Sequence, residues 1–263
     1  MKKMYRIIAL TGVTALLFTA CQKDVKDAPK EEITADVLAQ IKGLGFGTKN
    51  VQKVDEGYLV EGDIILTPEH LQSQPNSPRM IIANEEQYHT FYLVKGLPRV
   101  ITVSAPSSPA GFSNAVNAAI ARYNNERLTL TFQRVASGGD INIRVVNTGQ
   151  YIASAGFPTS SGDPYNDIKY ANRYTTYSDG FMTTVLAHEI GHCIGFRHTD
   201  YMNRAYSCGS GGNEGQETSG VGAVFIPGTA SGPDAGSWML ACLGASTNRP
   251  FNSNDKTALG YVY

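Results

Sequence analysis

Apolar residues recur at helical spacing through Ile33, Val37, Leu38 and Ile41, which predicts a helix from Glu31 to Lys42 that Gly43 stops. The period then shortens towards two. Tyr58 to Leu66 reads as a short strand, and Val100 to Val103, Leu128 to Val135 and Ile141 to Val146 read as further strands, with Tyr151 to Phe157 a candidate edge strand. Between the first two of these later strands, Phe112 to Glu126 turns Val116, Ala119, Ile120 and Tyr123 to one side of an amphipathic helix. Met182, Leu186, Ile190, Cys193 and Ile194 form the apolar stripe of another helix, and a last one runs from about Ser253 to Tyr261. From Gly96 onward the alternation fits one mixed α+β domain of roughly 165 residues, enough for a substantial core.

Two stretches break the pattern. Pro75 to Pro78 is polar and rich in breakers, as an exposed link would be, and Arg204 to Gly236 is rich in Gly and Ser around the apolar run Val224-Phe225-Ile226-Pro227. Loops of that second length inside a domain are commonly functional. At the amino terminus, Lys2, Lys3 and Arg6 precede an apolar run from Ile7 to Ala20 that is short for a membrane span and fits a secretory signal peptide. Residues 22–32 are rich in Lys, Asp and Glu, as a solvated tether would be. The 263 residues carry a formal net charge of −1 and only 17% charged side chains, so no basic stripe is available to follow phosphates and a nucleic-acid partner is excluded. The chain is expected to act as a monomer.

The chemistry concentrates in His188-Glu189-Ile190-Gly191-His192-Cys193-Ile194-Gly195-Phe196-Arg197-His198, which holds three of the five histidines. Four residues apart on a helix, His188 and His192 project from one face and can grip one Zn²⁺. Glu189 lies about 100° round the helix, able to reach water at the metal without ligating it, as a general base must. Gly195 can adopt the positive φ that ends the helix and returns the chain, bringing His198 up as a third ligand and leaving a fourth position open.

This string, extended from Ala187 to Tyr201 and joined by Gly236-Ser237-Trp238-Met239, resembles the metzincin clan of zinc endopeptidases and, more closely, the dual-action HEIGH metallopeptidase family. The resemblance covers the chain from about Lys95 to Tyr263. It implies a mixed, mostly parallel twisted sheet, a long active-site helix, peptide-bond hydrolysis with one catalytic zinc, and Met239 as the Met-turn residue flooring the three histidines. It also implies that an extended substrate pairs with the edge strand above that helix, for which Tyr151 to Phe157 is the candidate, and that the Arg204–Gly236 loop shapes the pocket just after the scissile bond. The tyrosine some metzincins place after the Met-turn methionine is replaced here by Leu240 and Ala241. Leu17-Phe18-Thr19-Ala20-Cys21 resembles the bacterial lipobox, which implies cleavage before Cys21, a lipid anchor there and, with Gln22 following, an outer-membrane address, at its outer surface or released from it.

Within the N-terminal segment, Val60-Glu61-Gly62-Asp63 resembles the Phe-x-Gly-Asp switch of astacin-type propeptides, where the aspartate takes the open zinc position. The same residues would also suit a plain hairpin turn. The expected division is signal peptide 1–20, lipidated tether 21–32, propeptide 33–95 and catalytic domain 96–263. Of the three cysteines left after lipidation, Cys193 falls on the apolar helix face as a buried thiol, leaving Cys208 and Cys242 to pair, although all three connectivities fit. Asp163, Asn166 and Asp167 offer oxygens of the kind calcium takes. Two alternatives stand beside the endopeptidase: a non-catalytic zinc-containing surface lipoprotein that binds peptide or glycan, and a zinc hydrolase of cell-wall peptides.

Overall fold

The computed structural model describes residues 33–72, 87–210, 221–230 and 233–263. The expected signal peptide, Cys21, the expected tether and the Pro75–Pro78 stretch lie outside the described residues. Thr34 caps the first helix, α1 (Ala35–Gly43), its hydroxyl accepting from Val37 N at 3.4 Å, so the helix begins four residues later than the periodicity predicts. The next apolar run is not one strand. It forms β2 (Gly57–Val60) and β3 (Ile64–Leu66), which with β1 (Gln52–Val54) make an antiparallel meander. The break falls at Glu61 and Gly62, both at positive φ (58° and 99°), and Asp63 N closes the turn onto Val60 O at 3.3 Å. A short helix, α2 (Pro68–Gln72), follows.

The body of the chain then runs β4 (Tyr88–His89), β5 (Arg99–Ser104), α3 (Ala110–Asn125), β6 (Leu130–Val135), β7 (Ile141–Val146), β8 (Ala153–Gly156), β9 (Asp167–Ala171), α4 (Asp179–Cys193), α5 (Ala205–Cys208), β10 (Val224–Phe225) and α6 (Ser253–Val262). One mixed sheet has the order β1-β2-β3-β8-β9-β7-β5-β6. Strands β6, β5, β7 and β9 are mutually parallel, and β8 lies antiparallel to β9. Tyr151 to Phe157 was expected to be an edge; it is not one. Strand β3 pairs parallel with β8, placing Ile64 opposite Ala155 and Ile65 opposite Gly156, so the N-terminal meander extends the sheet past the strand that would take substrate. Strand β9 is absent from the sequence reading, where Asp167 was assigned to a calcium turn. Its buried Ile168 and Tyr170 alternate with Lys169 as a strand should.

Helix α3 packs on β6 and α4 on β8, and the two helices lie against one another. Their interface joins Val116, Ala119, Ile120 and Tyr123 to Met182, Leu186 and Ile190 in the main core. A second cluster holds Ile41, Leu44, Phe46, Val60, Ile64 and Leu66 of the N-terminal segment against Phe157 and Val221. Each of these six side chains contributes roughly 1.5–3 kcal/mol by burial, so the segment is docked through apolar area as well as through the sheet. Gln87 donates to Ser237 Oγ (3.1 Å) and Asp255 Oδ1 (2.8 Å), β4 pairs with β10, and Val94 lies in the main core, so the chain from Gln87 onward packs with the body that runs from β5 to α6. Among the described residues no helix is long and apolar enough to cross a membrane.

Candidate metal centre

Helix α4 begins at Ser178, whose hydroxyl accepts from Phe181 N at 3.3 Å, and every residue from Phe181 to Cys193 is buried. Its last turn bonds Phe196 N to Gly191 O (2.9 Å), and Gly195 follows at φ 108°. That position excludes a side chain on two counts, since a Cβ there would also stand 2.8 Å from Leu93 Cδ2 and Tyr92 O. The returning strand is pinned by Thr90 N to Gly195 O (2.7 Å) and Arg197 N to Tyr88 O (2.9 Å), which sets where His198 arrives. The hydroxyl of Tyr263, from the end of α6, donates to Ile194 O and satisfies a carbonyl at the helix terminus.

The three Nε2 atoms converge: His192 to His188 is 3.0 Å and His192 to His198 is 3.2 Å. Two tautomers are set by main-chain acceptors, since His188 Nδ1 donates to Trp238 O (2.9 Å) and His192 Nδ1 donates to Phe196 O (2.8 Å), leaving each Nε2 lone pair facing the common point. Asp63 Oδ2 completes the group at 3.2 Å from His198 Nε2 and 3.6 Å from His188 Nε2. All four donor atoms lie within 4.8 Å of one another. Ligands at about 2.0–2.1 Å around a tetrahedral Zn²⁺ stand about 3.3 Å apart, so this N₃O set fits that ion in both chemistry and spacing.

Glu189 stands outside the four. Its Oε2 is buried with no hydrogen-bond partner, and burial, then the charge of Asp63, push its carboxyl well above the usual range. Burial works against the charged form of Asp63 as well, but the three histidines outweigh it and hold that carboxyl well below the usual range. His192 is held well below the usual imidazole range by burial and by its two neighbours. For His198 burial also favours the neutral ring, yet Asp63 and Glu61 lift it to about 9. Among the side chains themselves, a proton on His198 therefore neutralises Asp63, and a metal ion would take that proton's place.

Met239 is fully buried, in a turn held from several sides. Trp238 N donates to Asp255 Oδ2 (3.3 Å), Met239 N to Ser237 Oγ (3.2 Å) and Thr199 N to Met239 O (3.0 Å). Asp255 also belongs to the capping box that opens α6, so one buried carboxylate serves the helix and the turn, and burial raises it to about 6. Gly191 is what allows the methionine so near: a Cβ at that position would meet Met239 Sδ at 2.6 Å and Trp238 Nε1 at 3.1 Å. Gly191→Ala should cost about 1–3 kcal/mol by overpacking, seen as a drop of several degrees in Tm. Gly43→Ala, where a Cβ meets nothing within 4 Å, is the control and should leave Tm unchanged or raise it; equal melting of the two variants would remove this account of the turn.

Cys208 and Cys242 are bonded (Cα to Cα 5.1 Å), tying the loop after His198 to the residues after Met239, and Cys193 is a buried thiol. Of the oxygens expected for calcium, both of Asp167 take Arg144 at 2.7 Å, and Asp163 takes Arg99 at 3.0 Å. A cavity of about 240 Å³ opens beside the cluster, with Ile152 and Val185 against Ala241–Leu243. Among the described residues of the Arg204–Gly236 loop only Arg204 lines it, and Ala241–Leu243, after Met239, form that wall. A larger hollow of about 820 Å³ near Ser104, Arg134 and Asn142 contains none of the cluster.

Two residues were missed by the sequence reading. Arg197 is completely buried, stacked 3.9 Å from the Phe46 ring centre and paired with Glu61 at 3.4 Å. Glu61 in turn reaches to 3.3 Å from His198 Nδ1. Both residues stood inside quoted motifs as fillers, Arg197 just before His198 and Glu61 just before Gly62; their opposite charges were the available signal.

A family model described as dual-action HEIGH metallo-peptidase matches residues 58–263. Two solved structures of myroilysin align with the chain, one at 18% identity over 65% of this chain and 96% of that one with a TM-score of 0.46, the other at 15% over 70% and 96% with a TM-score of 0.40. No curated protein matches the sequence.

Proposed function

The chain belongs to the dual-action HEIGH metallopeptidase family and is a zinc metallopeptidase, and from this premise we propose that it is an endopeptidase held latent by its own N-terminal segment. The observation that carries the reading is the approach of Asp63 Oδ2 to the three Nε2 atoms of His188, His192 and His198. Those three histidines would hold the ion throughout, and Asp63 would fill the fourth position until the segment leaves. When bound, zinc would supply Lewis-acid polarisation of the scissile carbonyl and lower the cost of deprotonating water. Glu189 would receive that proton on its unpartnered Oε2 and return it to the departing amine. Once β3 is gone, the free edge of β8 would pair with an extended peptide, and the cavity at Ile152, Val185 and Leu243 would seat a side chain beside the scissile bond. We place the activating cut between Gln72 and Gln87, because the chain is docked as part of the N-terminal segment before that interval and as part of the catalytic body after it. A lipid on Cys21 would hold the protein at the outer membrane, with residues 22–32 as tether.

The test is cleavage of denatured casein by the full chain with intact mass followed in parallel, before and after metal removal. Cleavage should rise as mass corresponding to the segment is lost, fall roughly a hundredfold or more with a zinc chelator, and return with added Zn²⁺. A processed, zinc-loaded chain that cuts nothing would end the endopeptidase reading.

A further inference from the structure

We propose that the hollow of about 820 Å³ at the ends of β5 and β6 is a second binding site, one that takes an acidic sugar, with Arg134 meeting the sugar's anionic group. None of its lining residues belongs to the metal cluster or to the N-terminal segment, so the site stands whether or not that segment departs. Its place in the sheet is where parallel strands commonly bind ligands, outside their carboxyl ends where neighbouring connections part. From Ser104, the last residue of β5, the chain leaves through α3 towards β6, and from Val135, the last of β6, it crosses to β7 on the other side of β5. That crossing is fastened at several points. Asp140 Oδ2 accepts from Thr102 N (2.7 Å) and Thr102 Oγ1 (2.6 Å), Ser104 Oγ donates to Asn142 Oδ1 (2.6 Å), and a Cβ on Gly139 would stand 2.7 Å from Ser104 N.

The chemistry of the wall narrows the ligand. Ser107, Ser113, Asn117 and Ser137 supply hydroxyls and an amide, groups that both donate and accept as sugar hydroxyls do, and the lining includes no aromatic ring on which a base or an apolar ligand would stack. It includes no carboxylate either, but it does include two arginines. Arg144 is already answered, its Nε and Nη2 each 2.7 Å from an oxygen of Asp167. Arg134 is not. Its Nη2 donates to two neutral acceptors of the same wall, Ala105 O (2.7 Å) and Pro106 O (3.3 Å), and its buried Nη1 has no hydrogen-bond partner among the described residues. A guanidinium fixed by main-chain oxygens and paired with no carboxylate favours an anion, and a carboxylate or sulfate on the ligand would form a charge-assisted pair with it. The volume lies in the range of about 300–1,000 Å³ usual for small-molecule sites, which a lone inorganic oxyanion would leave mostly empty. A uronate or sulfated sugar supplies the anion and the hydroxyls together.

The experiment titrates the full chain, by calorimetry, with a galacturonate dimer, a sulfated disaccharide, neutral maltose, inorganic phosphate and N-acetyl-aspartyl-aspartate. Wild type should bind at least one of the two acidic disaccharides about tenfold or more tightly than each of the other three probes. Arg134→Gln should weaken that binding about tenfold or more. Because Arg134 also ties two main-chain oxygens and its variant can fail to fold, Ser137→Trp is measured in parallel. Ser137 is exposed, and a tryptophan there fills the hollow while leaving the Arg134 hydrogen bonds in place, so binding should be lost with Tm and zinc content unchanged. Binding of the acidic sugar that survives either substitution in a folded variant overturns the site. Maltose, phosphate or the acidic dipeptide bound as tightly as the acidic sugars overturns the ligand class, and no binding of either acidic disaccharide up to about 10 mM overturns the proposal outright.

Discussion

Glu189→Ala is expected to lower kcat/KM of the processed enzyme by about 10²- to 10⁴-fold while leaving its zinc content intact. Metal binding survives because Glu189 is not among the four converging donors, and turnover falls because, among the described residues, Asp63 of the N-terminal segment is the only carboxylate in the cluster. The same substitution carries a second, opposite expectation for stability. In the folded full chain burial and the nearby charge of Asp63 raise the Glu189 carboxyl well above its ordinary value, so the folded state holds a proton that the unfolded chain releases. Such a group destabilises increasingly as pH rises above its unfolded value, about 4.3. Chelated Glu189→Ala should therefore melt at or above wild type at pH 7, with a shallower loss of Tm between pH 5 and 8. Retained peptidase activity in this variant would end the assignment of Glu189 as the base, and a lower Tm would show that its carboxyl has a supporting partner.

What could be read from the chain in advance follows from how local each signal is. Helices α1, α3 and α4 and strands β6 and β7 are periodic over four or more residues, and the three converging histidines lie in one string whose spacing is a property of a single helix and its exit turn. Met239 was legible for a different reason, as part of a second string. Strand β9 was lost because Asp167 and its neighbours are polar in the manner of a turn, while the burial that makes it a strand comes from β7 and β8 on either side. The pairing of β3 with β8 was not legible at all: nothing in Ile64-Ile65-Leu66 names its partner, and register between distant segments is decided by the assembled sheet. Arg197 was hidden by the same cause. Its burial depends on Phe46 and Glu61, more than 130 residues earlier, and a lone arginine between Phe196 and His198 reads as solvated until those residues are seen to cover it.

Under the proposed latency, Asp63→Ala separates two barriers against substrate. The first is the carboxylate at the metal cluster, an internal competitor whose effective concentration, for a short tether already docked, is on the order of millimolar or more. The second is occupation of β8 by β3, held by the sheet pairing and by the buried Ile41, Leu44, Phe46, Val60, Ile64 and Leu66, none of which the substitution touches. Removing Asp63 should therefore raise hydrolysis of short peptides by the unprocessed chain about tenfold or more, while casein cleavage stays low until intact mass reports loss of the segment. The ion-free chain adds a pH signature. Asp63 is depressed by its histidines, so its stabilisation is present above about pH 4 and lost as pH falls below; His198 is raised to about 9, so its share is full below about 6.5 and lost as pH climbs through 9. The Tm difference between wild type and Asp63→Ala should thus be greatest between about pH 4 and 6.5 with chelator and shrink towards pH 9. With zinc bound the ion replaces the proton on His198, and the difference should persist to pH 9. Equal stimulation of short-peptide and casein cleavage would mean that ligation alone maintains latency and that the β3–β8 pairing yields to substrate unaided.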